Sequence, residues 1–143
     1  MSARFRLAPP SASESDLHTS VAKALDALLT PPAIWACYPA GHIQLPPAAA
    51  AKLSRAGLKR GWPDLLVLHD GHIFGIELKR PGGRLSKTRT VRTKRGGLRV
   101  LDGQEDTFPR LREAGMRLAV CESVEAVLTT LKQWGIPTRR RVE

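Results

Sequence analysis

The chain has 143 residues, and its 42% hydrophobic and 25% charged content is that of an ordinary globular domain, which excludes wholesale disorder. No apolar run approaches the roughly 20 residues that span a bilayer, and Met1–Pro10 lacks the apolar core of a secretory leader. Lys and Arg number 23 against 13 Asp and Glu, a formal charge of +10 that favours a polyanionic partner, nucleic acid first. With 5% aromatics, phosphate contact is expected to outweigh base stacking. Cys37 and Cys121 sit in apolar strand-like runs and are expected as small core residues of a reduced, cytoplasmic protein.

Residues 1–10 are expected as a mobile basic arm carrying Arg4 and Arg6, ended by Pro9-Pro10. Residues 11–137 form one domain without repeats or linker, and residues 138–143 a basic tail with Arg139, Arg140 and Arg141. Ser11 or Ser13 can cap a helix running to about Leu29, with Leu17, Val21, Leu25 and Leu28 along one stripe. Thr30-Pro31-Pro32 stops it. Ile34–Tyr38 is a short strand candidate followed by a Pro39/Gly41 turn, and Pro46-Pro47 opens an Ala-rich helix that Gly57 suits as a terminator. Asp64–His69 and His72–Lys79 are strands joined by Asp70-Gly71, the two-residue signal for a type I′ hairpin.

Residues 80–99 then hold eight Lys and Arg and no acid. Thr88–Thr93 alternates, and Leu98–Leu101 follows an Arg95-Gly96-Gly97 turn, so a second, protruding hairpin is expected over about 86–101. Asp102 and Glu105 are placed as a capping box for a helix to about Ala114, with Pro109 implying a kink or a later start. Arg117–Cys121 is another strand, and Ser123 caps a last helix through Trp134. The order gives an α/β fold with helices on a mixed sheet.

Counting outward from Asp70-Gly71 pairs His69 with His72, Leu68 with Ile73 and Val67 with Phe74, and sets Asp64 opposite Glu77. Directly opposed residues hold their Cβ atoms about 4.5–5.5 Å apart, and like charges there are destabilising. Both strands are apolar on both faces and so should be central and buried. Two carboxylates at the end of a buried hairpin need either a retained proton or a cation between them. A hard divalent ion such as Mg²⁺ takes such oxygen ligands and completes its shell with water and phosphate. Lys79 lies two residues beyond Glu77 on the same face, where an ammonium can hold a water or offset transition-state charge. The structural alternative has Asp64 capping a turn while Glu77 and Lys79 pair on the solvent side.

Pro63-Asp64, twelve residues, then Glu77-Leu78-Lys79 resembles the PD-(D/E)XK nuclease motif. The segments Gly61-Trp62-Pro63-Asp64-Leu65-Leu66-Val67-Leu68 and Gly75-Ile76-Glu77-Leu78-Lys79 are similar to the VRR-NUC (virus-type replication-repair nuclease) branch of that superfamily. The resemblance covers roughly residues 13–134. It implies a restriction-endonuclease-like αβββαβ core, Mg²⁺ with Mn²⁺ able to substitute, and metal ligation by Asp64, Glu77 and the Leu78 carbonyl, with Lys79 assisting. It implies an endonuclease acting on DNA, branched, junction or flap DNA before linear, in phage or bacterial replication, repair or recombination. A homodimer and a nucleoid-associated location follow from the same likeness.

Two further residues are candidates for the same site. Glu14 falls within the Leu17–Leu28 stripe and matches the acidic residue the family carries on its first helix; alternatively it completes a capping box with Ser11. Gln104 opens the helix after the basic insert, where the family carries a glutamine, or is an ordinary first-turn polar residue. The chain departs from relatives in two places. Lys87–Gly103 is inserted between the Gly83-Arg84-Leu85-Ser86 loop and Gln104, and Pro39-Ala40-Gly41-His42 replaces a Pro-Asn-Gly-Gly-like turn.

The nucleic-acid candidates are Lys59 and Arg60 just before the Pro-Asp step, Arg80, and the insert's Arg84, Lys87, Arg89, Arg92, Lys94, Arg95 and Arg99. Alternation sets Arg89 and Val91 on one face of the hairpin and Arg92 on the other, so not all can touch one duplex; a solvated flexible loop is the other reading. His69 and His72 flank the first turn without the further ligands that zinc needs. Pro81-Gly82-Gly83 lacks the Lys-Ser/Thr of a nucleotide-binding loop, and His42 reads as a turn residue. The rival function is a non-catalytic basic nucleic-acid-binding protein, and RNA is not separable from DNA by sequence.

Overall fold

A computed structural model describes residues 14–39 and 45–139. In chain order these form α1 (Glu14–Leu28), β1 (Ile34–Cys37), α2 (Pro47–Arg55), β2 (Leu65–His69), β3 (His72–Leu78), β4 (Arg89–Arg92), β5 (Leu98–Leu101), α3 (Gln104–Glu113), β6 (Arg117–Cys121) and α4 (Val124–Gln133). The arm at 1–10, the Ser11 and Ser13 caps, Ala40, Gly41, His42, Arg140 and Arg141 lie outside the described residues. Among the described residues no helix is long and apolar enough to cross a membrane.

The core sheet has the order β1-β2-β3-β6. The first three strands are antiparallel and β6 runs parallel to β3. A parallel pair needs a long crossover, and the chain between β3 and β6 supplies it with α3 and the β4–β5 hairpin. The β2–β3 register is the one the Asp70-Gly71 turn dictates, from His69↔His72 to Leu65↔Ile76. Asp70 (φ 50°) and Gly71 (φ 74°) both adopt the left-handed backbone that a type I′ turn requires.

Each sheet face has its own core. On one, Leu17, Val21 and Leu25 of α1 and Val127 and Leu131 of α4 bury Leu65, Val67, Phe74, Ile76 and Leu78. The stripe of Leu17, Val21, Leu25 and Leu28 is therefore the inward face of α1. On the other, Phe108, Leu111 and Met116 pack with Trp62, Leu66, Ile73 and Leu118. Burying one such side chain is worth about 1.5–3 kcal/mol, so both layers hold the hairpin between them. Gly75 lies on the α3 side, where a Cβ would meet Leu118, Pro63 and Met116 at under 3 Å. Ser123 caps α4 by accepting from the Ala126 N–H at 3.0 Å. Thr138 pairs with Leu29, and the Arg139 N–H donates to the Leu28 carbonyl, which ties the last described residues to the end of α1.

Three expectations are corrected. Cys37 is exposed rather than core, because β1 is an edge strand with only Trp35 half-covered; Cys121 is buried as expected. The N-cap of α3 is Gly103, with no side-chain cap, instead of an Asp102–Glu105 box. Its free N–H groups turn to the loop before the insert: the Gln104 N–H donates to Ser86 Oγ (3.0 Å) and the Glu105 N–H to the Ser86 carbonyl (3.0 Å). Finally, α3 does not start later to avoid Pro109 but runs through it, since Phe108 and Leu111 on either side anchor the helix.

Gly103 has no room for a side chain: a Cβ there would lie 2.3–2.6 Å from the backbone of Ser86, Lys87 and Thr88. Gly103→Ala is therefore expected to cost about 1–3 kcal/mol, by overpacking against atoms that cannot swing aside. Denaturant unfolding with an unchanged slope checks it; a midpoint equal to wild type overturns it.

Candidate active site

Asp64 immediately precedes β2, and Glu77 is the penultimate residue of β3. Strand alternation sends Asp64, Leu66, Gly75, Glu77 and Lys79 to the α3 side, away from α1. Both carboxylates are buried, Asp64 at 7% and Glu77 at 2% exposure. That excludes the solvent-side pairing of Glu77 and Lys79. The acids cross rather than simply face each other. The Asp64 N–H donates to Glu77 Oε2 at 3.2 Å, and the Leu78 N–H donates to Asp64 Oδ2 at 2.7 Å. The backbone of Leu78 is thus held against the Asp64 carboxylate.

Lys79 Nζ stands 3.4 Å from Glu77 Oε1, with its side chain 14% exposed. Gln104, 8% exposed at the first position of α3, takes the Ser86 N–H on its Oε1 at 3.2 Å, and its side chain is near enough to Glu77 to favour the charged carboxylate. The glutamine is therefore a bridge from the insert's base to the acid. Even so, burial and then the Asp64 charge push the Glu77 carboxyl up to about 7, against the lowering pull of Gln104 and Lys79. Partial burial and then the same Asp64 charge raise the Cys37 thiol.

A hard cation fits this donor set. Two buried carboxylates, each accepting from the backbone of the other's strand, offer the oxygen ligands that such an ion takes. Among the described residues no group of three or more His, Cys, Asp or Glu gathers. His69 and His72 are cross-strand partners at the far end of the hairpin, and His69 Nδ1 is buried without a hydrogen-bond partner.

Asp64, Glu77, Leu78 and Lys79 lie together at the open end of the β2–β3 hairpin, and Gln104 stands beside them at the start of α3. Glu14 is the first residue of α1, and its side chain lies outside the described residues. Lys59 and Arg60 are exposed in a loop that Tyr38 fixes to the site. The Tyr38 N–H donates to the Asp64 carbonyl at 2.7 Å. Its hydroxyl accepts from the Lys59 N–H (3.0 Å) and donates to the Lys59 carbonyl (2.9 Å), while its ring stacks on Trp62 at 5.3 Å. Arg80, Arg84 and Lys87 line the exposed path from β3 to the hairpin, and Arg89, Arg92, Lys94, Arg95 and Arg99 are exposed on the separate two-stranded sheet. Sequence reasoning missed Tyr38 and Ser86 as site-builders. Ser86 stood in the Gly-Arg-Leu-Ser loop as a hint, whereas Tyr38 acts across a sequence gap that no local signal marks. Compared with known proteins, the chain matches no family model, no curated protein and no solved structure.

Proposed function

We propose that this protein is a Mg²⁺-dependent DNA endonuclease with a restriction-endonuclease-like αβββαβ core, selective for branched DNA. The observation that carries the reading is the buried Asp64–Glu77 pair with Lys79 and Gln104 converging on it. The order α1, β1, β2, β3, α3, β6 agrees with that core, and α2 and the β4–β5 hairpin are additions to it. Asp64, Glu77 and, by resemblance, the Leu78 carbonyl would hold the cation, which when bound supplies an activated water and charge neutralisation at the scissile phosphate. Gln104 favours the charged form of Glu77 from the first turn of α3 and is itself fixed by Ser86. The Lys79 ammonium, mostly shielded from solvent, offers hydrogen bonds to the attacking water and to charge developing on the phosphate oxygens. Lys59 and Arg60, set beside Asp64 by Tyr38, hold the strand to be cut.

The test is cleavage of labelled four-way junction, flap, linear duplex and single-stranded RNA in Mg²⁺ or EDTA, with Glu77→Ala alongside. Metal-dependent cuts in junction or flap DNA, lost in the variant, are expected. Tight binding without any cut in Mg²⁺ or Mn²⁺ would instead assign the chain as a non-catalytic nucleic-acid-binding protein. Preferential cutting of RNA would move the substrate class.

A further inference from the structure

The inserted hairpin presents two unlike faces. Its register, Arg89↔Leu101, Thr90↔Val100, Val91↔Arg99 and Arg92↔Leu98, puts Val91 and Leu101, both half-buried, on one side. Thr90, Arg92, Leu98 and Val100 occupy the other, where Leu98 is 73% and Val100 61% exposed. Among the described residues this apolar pair near the tip of the ribbon packs against no core. The ribbon is nevertheless pinned at its base, by the Gly103 N–H on Thr88 Oγ1 (3.0 Å) and by the Ser86–Gln104 bonds. Residues 80–99 carry eight cations and no acid, so a second copy of this +10 chain would bring like charges together around the pair. A polyanion is the complementary partner. In intact duplex the apolar surface is stacked away, and base faces open only where the stack is broken.

We propose that Leu98 and Val100 form an apolar wedge that rests on unstacked base faces at a branch point, while Arg92, Lys94 and Arg95 around the tip hold the flanking phosphates. The inference deepens the branched-DNA part of the proposed function and rests on it, but it does not require cleavage. Through Ser86 and Gln104 the same hairpin base meets Glu77, so a branch gripped here is placed in a fixed relation to the carboxylates.

The test compares wild type with the Leu98→Ser, Val100→Ser double variant, whose exposed positions leave the core untouched. Anisotropy is measured in EDTA on a four-way junction and on linear duplex of matched sequence, with 2-aminopurine at the branch in a parallel series. Junction affinity is expected to fall roughly tenfold, duplex affinity to change less than twofold, and the 2-aminopurine rise seen with wild type to disappear. Equal losses on both DNAs, no loss on either, or no DNA binding by wild type overturns the wedge. So does sedimentation showing a wild-type dimer that the variant dissociates, because the face then covers a second copy. Selective junction binding through Leu98 and Val100 without any cutting in Mg²⁺ keeps the wedge and rejects the nuclease reading alone.

Discussion

Replacing Glu77 by glutamine is expected to raise the thermal midpoint of the metal-free protein at pH 8 while reducing metal-dependent cleavage at least about a thousandfold. The two effects share one cause. The folded protein holds the Glu77 carboxyl at about 7 against an ordinary value of 4.5, because it is buried beside Asp64. Between those values the native state keeps a proton that the unfolded chain has released, so native stability falls as pH rises through the window. Below pH 4.5 the contribution is fully present; above 7 it is gone, a difference of about 3 kcal/mol at most. Glutamine keeps the shape and has no charge to bury. The variant should match wild type near pH 4.5 and exceed it by roughly 5–10 °C at pH 8. If the native carboxylate pair holds the cation as proposed, added Mg²⁺ should stabilise wild type alone. A midpoint difference between the two proteins that does not vary with pH would show that Glu77 is not held uncharged.

Cation binding is expected to tighten with pH by about tenfold per unit up to about 7 and then level off, because Glu77 must lose its proton before it can act as a ligand. Calorimetric titration with Mn²⁺ in buffers of different ionisation enthalpy reads this directly. Close to one proton should be released per cation at pH 6, and almost none at pH 8. Asp64→Asn should abolish the signal at both values, and Lys79→Ala should strengthen binding at pH 8, since the cation and the ammonium compete for Glu77. An affinity equal at pH 6 and pH 8, with no proton released at either, contradicts the assignment of Glu77 as a ligand.

The candidate site was unusually legible because its two acids sit on a local element. A two-residue type I′ turn sets the register of everything outward from it, so Asp70-Gly71 alone places Asp64 beside Glu77 across twelve intervening residues. Gln104 was legible only as a candidate, and what makes it part of the site is its pairing with Ser86 across the insert. Cys37 misled because an apolar run reads the same in an edge strand and in a central one. The absent cap at Asp102 has a similar origin. Glu105 offers its N–H to the Ser86 carbonyl, a partner that exists only once the loop has folded against α3.

Local patterning in the chain determined the elements, the inward face of α1, the β2–β3 register and the positive field, since each depends on neighbours within a few residues or on charge counted over the whole. Tertiary structure decided the rest. It made β1 and β6 the edges, tied Lys59 to Asp64 through Tyr38, and coupled the hairpin's base to Glu77 through Gln104. It also buried the carboxylate pair deeply enough to keep a proton near neutral pH. Those outcomes depend on which distant surfaces exclude water together, and desolvation is a property of the assembled layers rather than of any segment.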